Sequence, residues 1–151
     1  MSLQDQISND LKAAFKGGDR FVSDVLKMLR AAIVNQEIAS NKRETGLSDE
    51  ELEALIQREV KKRREAAHIY QQSGRSDLAT METSESDVLQ RYLPKPLTED
   101  EIKVLIQQVL SDTKLEPIAK NRGIIIGAVK KRAGSAADGS VIAKLVSAVL
   151  V

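Results

Sequence analysis

Cysteine is absent from the chain. Disulfides, thiolate metal sites and a cysteine nucleophile are therefore excluded. Histidine occurs once, as His68, and one imidazole supplies neither a His-based metal cage nor two histidine roles. Tryptophan is missing, and only two Phe and two Tyr are present. The core must then be built from Leu, Ile, Val and Ala, which suits packed helices. Eight Gly and three Pro are too few for an architecture rich in strands and turns. The longest apolar run covers only residues 124–129 and has Gly127 inside it, far short of the ~20 residues needed to span a bilayer. The first residues lack the charged-then-apolar pattern of a signal peptide. These absences lead to the expectation of a soluble, cytoplasmic protein with no membrane partner.

The chain has 151 residues, enough for one domain or two small ones. A protein of this size hides roughly 68–70% of its unfolded surface, so a sizeable core is within reach. Net charge is +1, unevenly spread. Residues 1–96 hold 15 Lys/Arg against 16 Asp/Glu, whereas residues 114–151 hold seven cations against two acids. Such an excess points to a polyanionic partner for the C-terminal end.

Hydrophobic spacing predicts helices almost throughout. Leu3, Ile7, Leu11, Ala14 and Phe15 form one face of a first helix, which Gly17-Gly18 stops. Asp19 then caps a second helix over residues 20–39, and residues 40–46 read as a loop. Ser48 and Glu51 form a capping box between the staple residues Leu47 and Leu52. Thr98 and Glu101 repeat the device between Leu97 and Ile102. The first box starts a long helix to about residue 72, ended by Gly74, and a fourth helix covers residues 77–92. Pro94 and Pro96 close it and stiffen the chain. The boundary between an N-terminal helical domain, 1–94, and a C-terminal module, 97–151, is set there.

The third helix carries an apolar stripe of Leu52, Leu55, Ile56, Val60, Ala66, Ala67 and Tyr70, interrupted by Arg63. The stripe on the fourth, Leu78, Met81, Val88, Leu89 and Tyr92, is interrupted by Glu85. Folded as an antiparallel hairpin about Gly74, the two charges are equidistant from the turn and should pair. Such a pair fixes register more than it adds stability.

Three shorter helices are expected beyond Pro96, over residues 99–111, 122–133 and from a cap at Asp138 onward. Helices under ~12–15 residues are marginal alone, so they should pack as a trio. The glycines of Gly134 to Gly139 have phosphate-loop spacing, but the Lys and Ser/Thr that must follow are replaced by Ser140 and Val141. No strand precedes the turn either, so nucleotide hydrolysis is rejected. Gly134 reads as a helix-ending glycine and Asp138 as the next cap. Gly123 and Gly127, four apart, would let another helix approach closely. Lys130, Lys131 and Arg132 complement the negative end of their helix and are also placed for phosphate contact. Arg58 and the basic run at 61–64 are interleaved with Glu59 and Glu65, as on a solvated face, and His68 lies off the apolar stripe. No Ser/His/Asp set, metal-ligand spacing or acid–base pair emerges, so no catalytic residue, metal or cofactor is expected.

The ordered set Gly74-Arg75-x-Asp77-Leu78, Tyr92-Leu93-Pro94 and Ala137-Asp138-Gly139, with Lys62-Arg63-Arg64-Glu65 ahead of it and Gly123…Gly127 before its last member, resembles the YqeY-like family. Its C-terminal module is shared with the tail of GatB, a subunit of the glutamine-dependent tRNA amidotransferase. The resemblance implies an all-α, two-part fold, with tRNA and amidotransferase subunits as partners. In that enzyme the tail contacts tRNA while the chemistry takes place in other domains. This chain matches the tail and its helical neighbour, so a carbon–nitrogen ligase label would be inherited from GatB. Ile126 and Ala128 depart from the family's tail, which often has methionine there. The expected function is a non-catalytic RNA-binding module, or alternatively a protein-interaction adaptor in translation. Lys120, Arg122, Lys130, Lys131 and Arg132 are the expected phosphate contacts, and no DNA partner is expected. Arg63, Glu85, Gly74, Gly127, Gly134 and Asp138 are expected to serve the structure.

Overall fold

The computed structural model describes residues 1–151 as seven α-helices without a strand. They form two compact units, Met1–Leu93 and Pro94–Val151.

The first unit contains α1 (Leu3–Lys16), α2 (Arg20–Ala39), α3 (Asp49–Gln72) and α4 (Ser76–Gln90). Local chemistry sets most of these limits. Asp19 Oδ1 accepts from the Val22 amide at 3.1 Å to start α2. At α3 the Ser48 hydroxyl and the Glu51 carboxylate satisfy each other's backbone amides at 3.2 and 2.9 Å. Gly74 takes φ +76, a left-handed conformation that a β-carbon would resist. That glycine turns α3 back along α4 as an antiparallel hairpin. Leu26 and Leu29 of α2 join Leu52, Ile56 and Leu89 of the hairpin as fully enclosed residues in the core of the unit.

Some details depart from periodicity. Phe15, expected on the inner face of α1, is 71% exposed. It lies on the edge of the stripe formed by Leu3, Ile7, Leu11 and Ala14, and the cover ends before it. Met81 of α4 is likewise exposed. A buried acid went unforeseen. Glu37, near the end of α2, accepts from Gln4 Nε2 at 3.1 Å and Arg43 Nη1 at 2.7 Å. Three separate segments meet at that carboxylate. Tyr92 also reaches back across the unit, its hydroxyl donating to Asp10 Oδ2 at 2.6 Å.

The second unit packs α5 (Glu99–Thr113), α6 (Arg122–Ala133) and α7 (Gly139–Val149) around Ile102, Ile106, Val109, Ile125, Val129, Ile142 and Val146. Thr98 and Glu101 form the capping box of α5. Lys114, at φ 58, ends that helix in a conformation glycine would adopt more easily. Gly134, at φ 56, closes α6, and Asp138 Oδ1 accepts from the Ser140 amide at 2.9 Å to begin α7. The turn with phosphate-loop spacing is therefore a junction between two helices.

Candidate nucleic-acid interface

The expected contact residues gather on and around α6. Lys120 sits in a 3₁₀ turn, Ala119–Asn121, that leads into it. Arg122 is its first residue, and Lys130, Lys131 and Arg132 occupy its last turn. All five are exposed. At about 3.6 residues per turn, Gly123, Ile124, Gly127, Lys130 and Lys131 share the side of α6 opposite Ile125 and Val129. The latter two are completely buried against α5 and α7.

That arrangement corrects the expectation for Gly123 and Gly127. No helix closes on them: a β-carbon at either position would meet nothing within 4 Å. Ile125 and Val129 face the neighbouring helices and leave the glycine side outward, with Ile124 exposed on it. The result is an outward face on which Gly123 and Gly127 leave backbone open beside Ile124, Lys130 and Lys131.

The five cations are not equivalent. Arg132 Nη1 pairs with Asp112 Oδ2 of α5 at 2.8 Å, and Arg122 Nε donates to Ser147 Oγ of α7 at 2.8 Å. Both guanidinium groups are thus partly engaged within the unit. The Lys130 ammonium lies over the start of α7, where a β-carbon on Gly139 would meet it at 3.6 Å. Lys131 and Lys120 extend the outward face. Ile126 and Ala128, the departures from the family's tail, are partly buried against the core on either flank.

In the first unit, Arg63 Nε donates to Glu85 Oε2 at 3.2 Å, and Arg63 Nη1 to Glu59 Oε2 at 2.9 Å. Lys62 pairs with Glu59 at 3.5 Å, and Arg64 donates to Gln90 Oε1 at 3.3 Å. His68 is exposed. This basic run is a solvated helix face with one inward arginine. No group of three or more His, Asp or Glu side chains stands together where a metal ion could be held, and no helix is long and apolar enough to cross a membrane.

Two helical units without a strand, the second containing the basic helix α6, define an all-α protein. The chain belongs to the YqeY-like family: the family model for Yqey-like proteins matches residues 4–150. It is similar to the mitochondrial protein "Altered inheritance of mitochondria protein 41" of Clavispora lusitaniae, 27% identical over 133 residues, covering 87% of this chain and 74% of the relative. The protein of the same name from Pyrenophora tritici-repentis is 27% identical over 148 residues, covering 96% of this chain and 79% of that relative. Both names correct the cytoplasmic expectation, because these relatives are mitochondrial proteins. The expectation rested on a missing secretory signal and a missing bilayer span. Neither feature bears on entry into an organelle, whose targeting segments are amphipathic and Arg-rich.

Proposed function

We propose that the protein is a non-catalytic RNA-binding module that takes a structured RNA, tRNA before others, against the outer side of α6. The observation that carries this reading is the combination on that side: Gly123 and Gly127 present open backbone beside Ile124, Lys130 and Lys131 share the side, and Lys120 stands exposed in the turn before it. A phosphate chain approaches a bare helix more closely than one covered by side chains. Lysine contacts to phosphate give affinity without reading sequence. The resemblance of the C-terminal module to the GatB tail supports the same assignment. Neither relative's name mentions RNA, so the α6 face bears the weight.

Filter binding of tRNA across a salt series tests it. Replacing Lys120, Lys130 and Lys131 with Ala should weaken binding and flatten the salt slope by roughly 0.7–0.9 for each phosphate no longer neutralised. Arg132→Ala should do less, since Asp112 already offsets that charge. Gly127→Glu places an acid in open space without disturbing the core and should abolish binding while the fold persists. Equal binding by wild type and these variants would overturn the reading.

The adaptor alternative draws on Ile69 and Met81, apolar side chains exposed near the turn of the α3–α4 hairpin. An adaptor would hold tRNA no better than nonspecifically at physiological salt.

A further inference from the structure

Both phenylalanines of the chain lie at one place, the elbow where α1 turns into α2, and both face outward: Phe15 is 71% and Phe21 42% exposed. In a protein with so few aromatics, putting half of them on a surface turn leaves hydrophobic area uncovered. The elbow is cationic as well. Lys16 ends α1 with Lys12 one turn before it, Arg20 opens α2, and Lys27 follows about two turns later, its ammonium 5.6 Å from the Phe15 ring centroid. The acids nearby are Asp19, which caps α2 through the Val22 amide, and Asp24, exposed one turn beyond Phe21, so the elbow carries four cations against two acids. Met28 adds a further exposed apolar side chain on α2.

We propose that this elbow docks onto an anionic phospholipid surface, with Phe15 and Phe21 entering the headgroup boundary and Lys12, Lys16, Arg20 and Lys27 meeting the lipid charge. Apolar side chains ringed by cations at the end of amphipathic helices are the requirement for interfacial attachment. The expectation of no membrane partner was drawn from the lack of a bilayer-spanning run, which has no bearing on peripheral attachment. Other occupants fit less well. A second copy would bring one net-positive elbow against another. Base stacking would have to displace Lys27 from the face of Phe15. A turn with projecting side chains suits a soft, deformable boundary.

The chain has no Trp, so Phe21→Trp supplies a single reporter. Its emission should shift to the blue with phosphatidylcholine vesicles containing phosphatidylserine, and not with phosphatidylcholine alone. In co-sedimentation, the unlabelled protein should follow the anionic vesicles, and the double variant F15A/F21A should do so on the order of tenfold more weakly. Far-ultraviolet circular dichroism checks that the variant remains helical, and K12E/K16E provides a second probe that leaves both rings in place. Failure to sediment with anionic vesicles, or equal sedimentation of wild type and both variants, overturns the proposal. So does a reporter that responds to a single-stranded oligonucleotide or to its own concentration and not to vesicles. The surface lies wholly in the first unit, so either result leaves the α6 reading to be judged separately.

Discussion

Arg63 and Glu85 each stand eleven residues from Gly74, one before and one after, and they meet at 3.2 Å across the α3–α4 hairpin. Their side chains are 12% and 18% exposed, and Glu59 completes a three-charge cluster. A one-residue slip of either helix would strand a guanidinium among apolar neighbours, so the pair sets the register.

Arg63→Ala leaves two carboxylates facing each other in a half-covered seam. The expected loss is about 2–3 kcal/mol, below the figure for a fully buried pair because some water remains. The double variant R63M/E85L should recover much of that loss, which denaturant unfolding of the three proteins would measure. A double variant no more stable than R63A would mean that the pair is worth more than apolar packing at this place.

The Glu37 carboxylate is 4% exposed and joins α1, α2 and the loop before α3. Glu37→Gln keeps the shape but removes the charge that Arg43 meets. A destabilisation of about 1–3 kcal/mol is expected by the same measurement.

The Glu51 carboxyl is held below its ordinary value, first by the hydrogen bond from Lys42 and then by the Ser48 amide. A lowered folded-state value contributes stability that is present above the ordinary carboxyl range and lost as pH falls through the folded value. The start of α3 should therefore loosen on acidification below that range. Amide hydrogen exchange at Glu51 and Leu52 should accelerate in E51Q already at neutral pH, and in the wild type only in acid.

Tyr92 behaves with the opposite sign. Burial, followed by the hydrogen bond to Asp10, pushes its phenol up from the ordinary value. Its contribution is complete below the range in which a free tyrosine ionises and declines as pH rises through the folded value. Tyr92→Phe should cost about 1–2 kcal/mol at neutral pH, detectable as a lower unfolding midpoint.

Gly127→Ala should stabilise the second unit, by about 0.5–1 kcal/mol, since a methyl enters open space on an exposed helix. An Ala variant that unfolds more readily would mean that the glycine side is covered.

What could be read in advance follows the range of each interaction. Asp19, Ser48, Thr98 and Asp138 bind amides two or three residues away, so four helix starts were legible from short motifs. The Arg63–Glu85 pair was also within reach, because one turn glycine fixes both distances. Glu37 was not, since its partners come from positions 4 and 43 and no local pattern joins them. Periodicity misjudged Phe15 and Met81 for a different reason: it identifies a face but not where the cover ends. Gly123 and Gly127 were misread because a small residue permits close approach without requiring it. Of the candidate contact residues, the run at 130–132 was visible in sequence. The engagement of Arg132 by Asp112 and of Arg122 by Ser147 depends on how α5 and α7 pack.

Tyr92 and Asp10 are 82 positions apart, which bears on how the polypeptide is made. A ribosome delivers the acceptor early and the donor late, so α1 must wait through the synthesis of three further helices before this clasp can close. Local helix formation is fast, whereas such distant closure is slow. The nascent first half should therefore remain open to proteases and chaperones until residue 92 has left the exit tunnel.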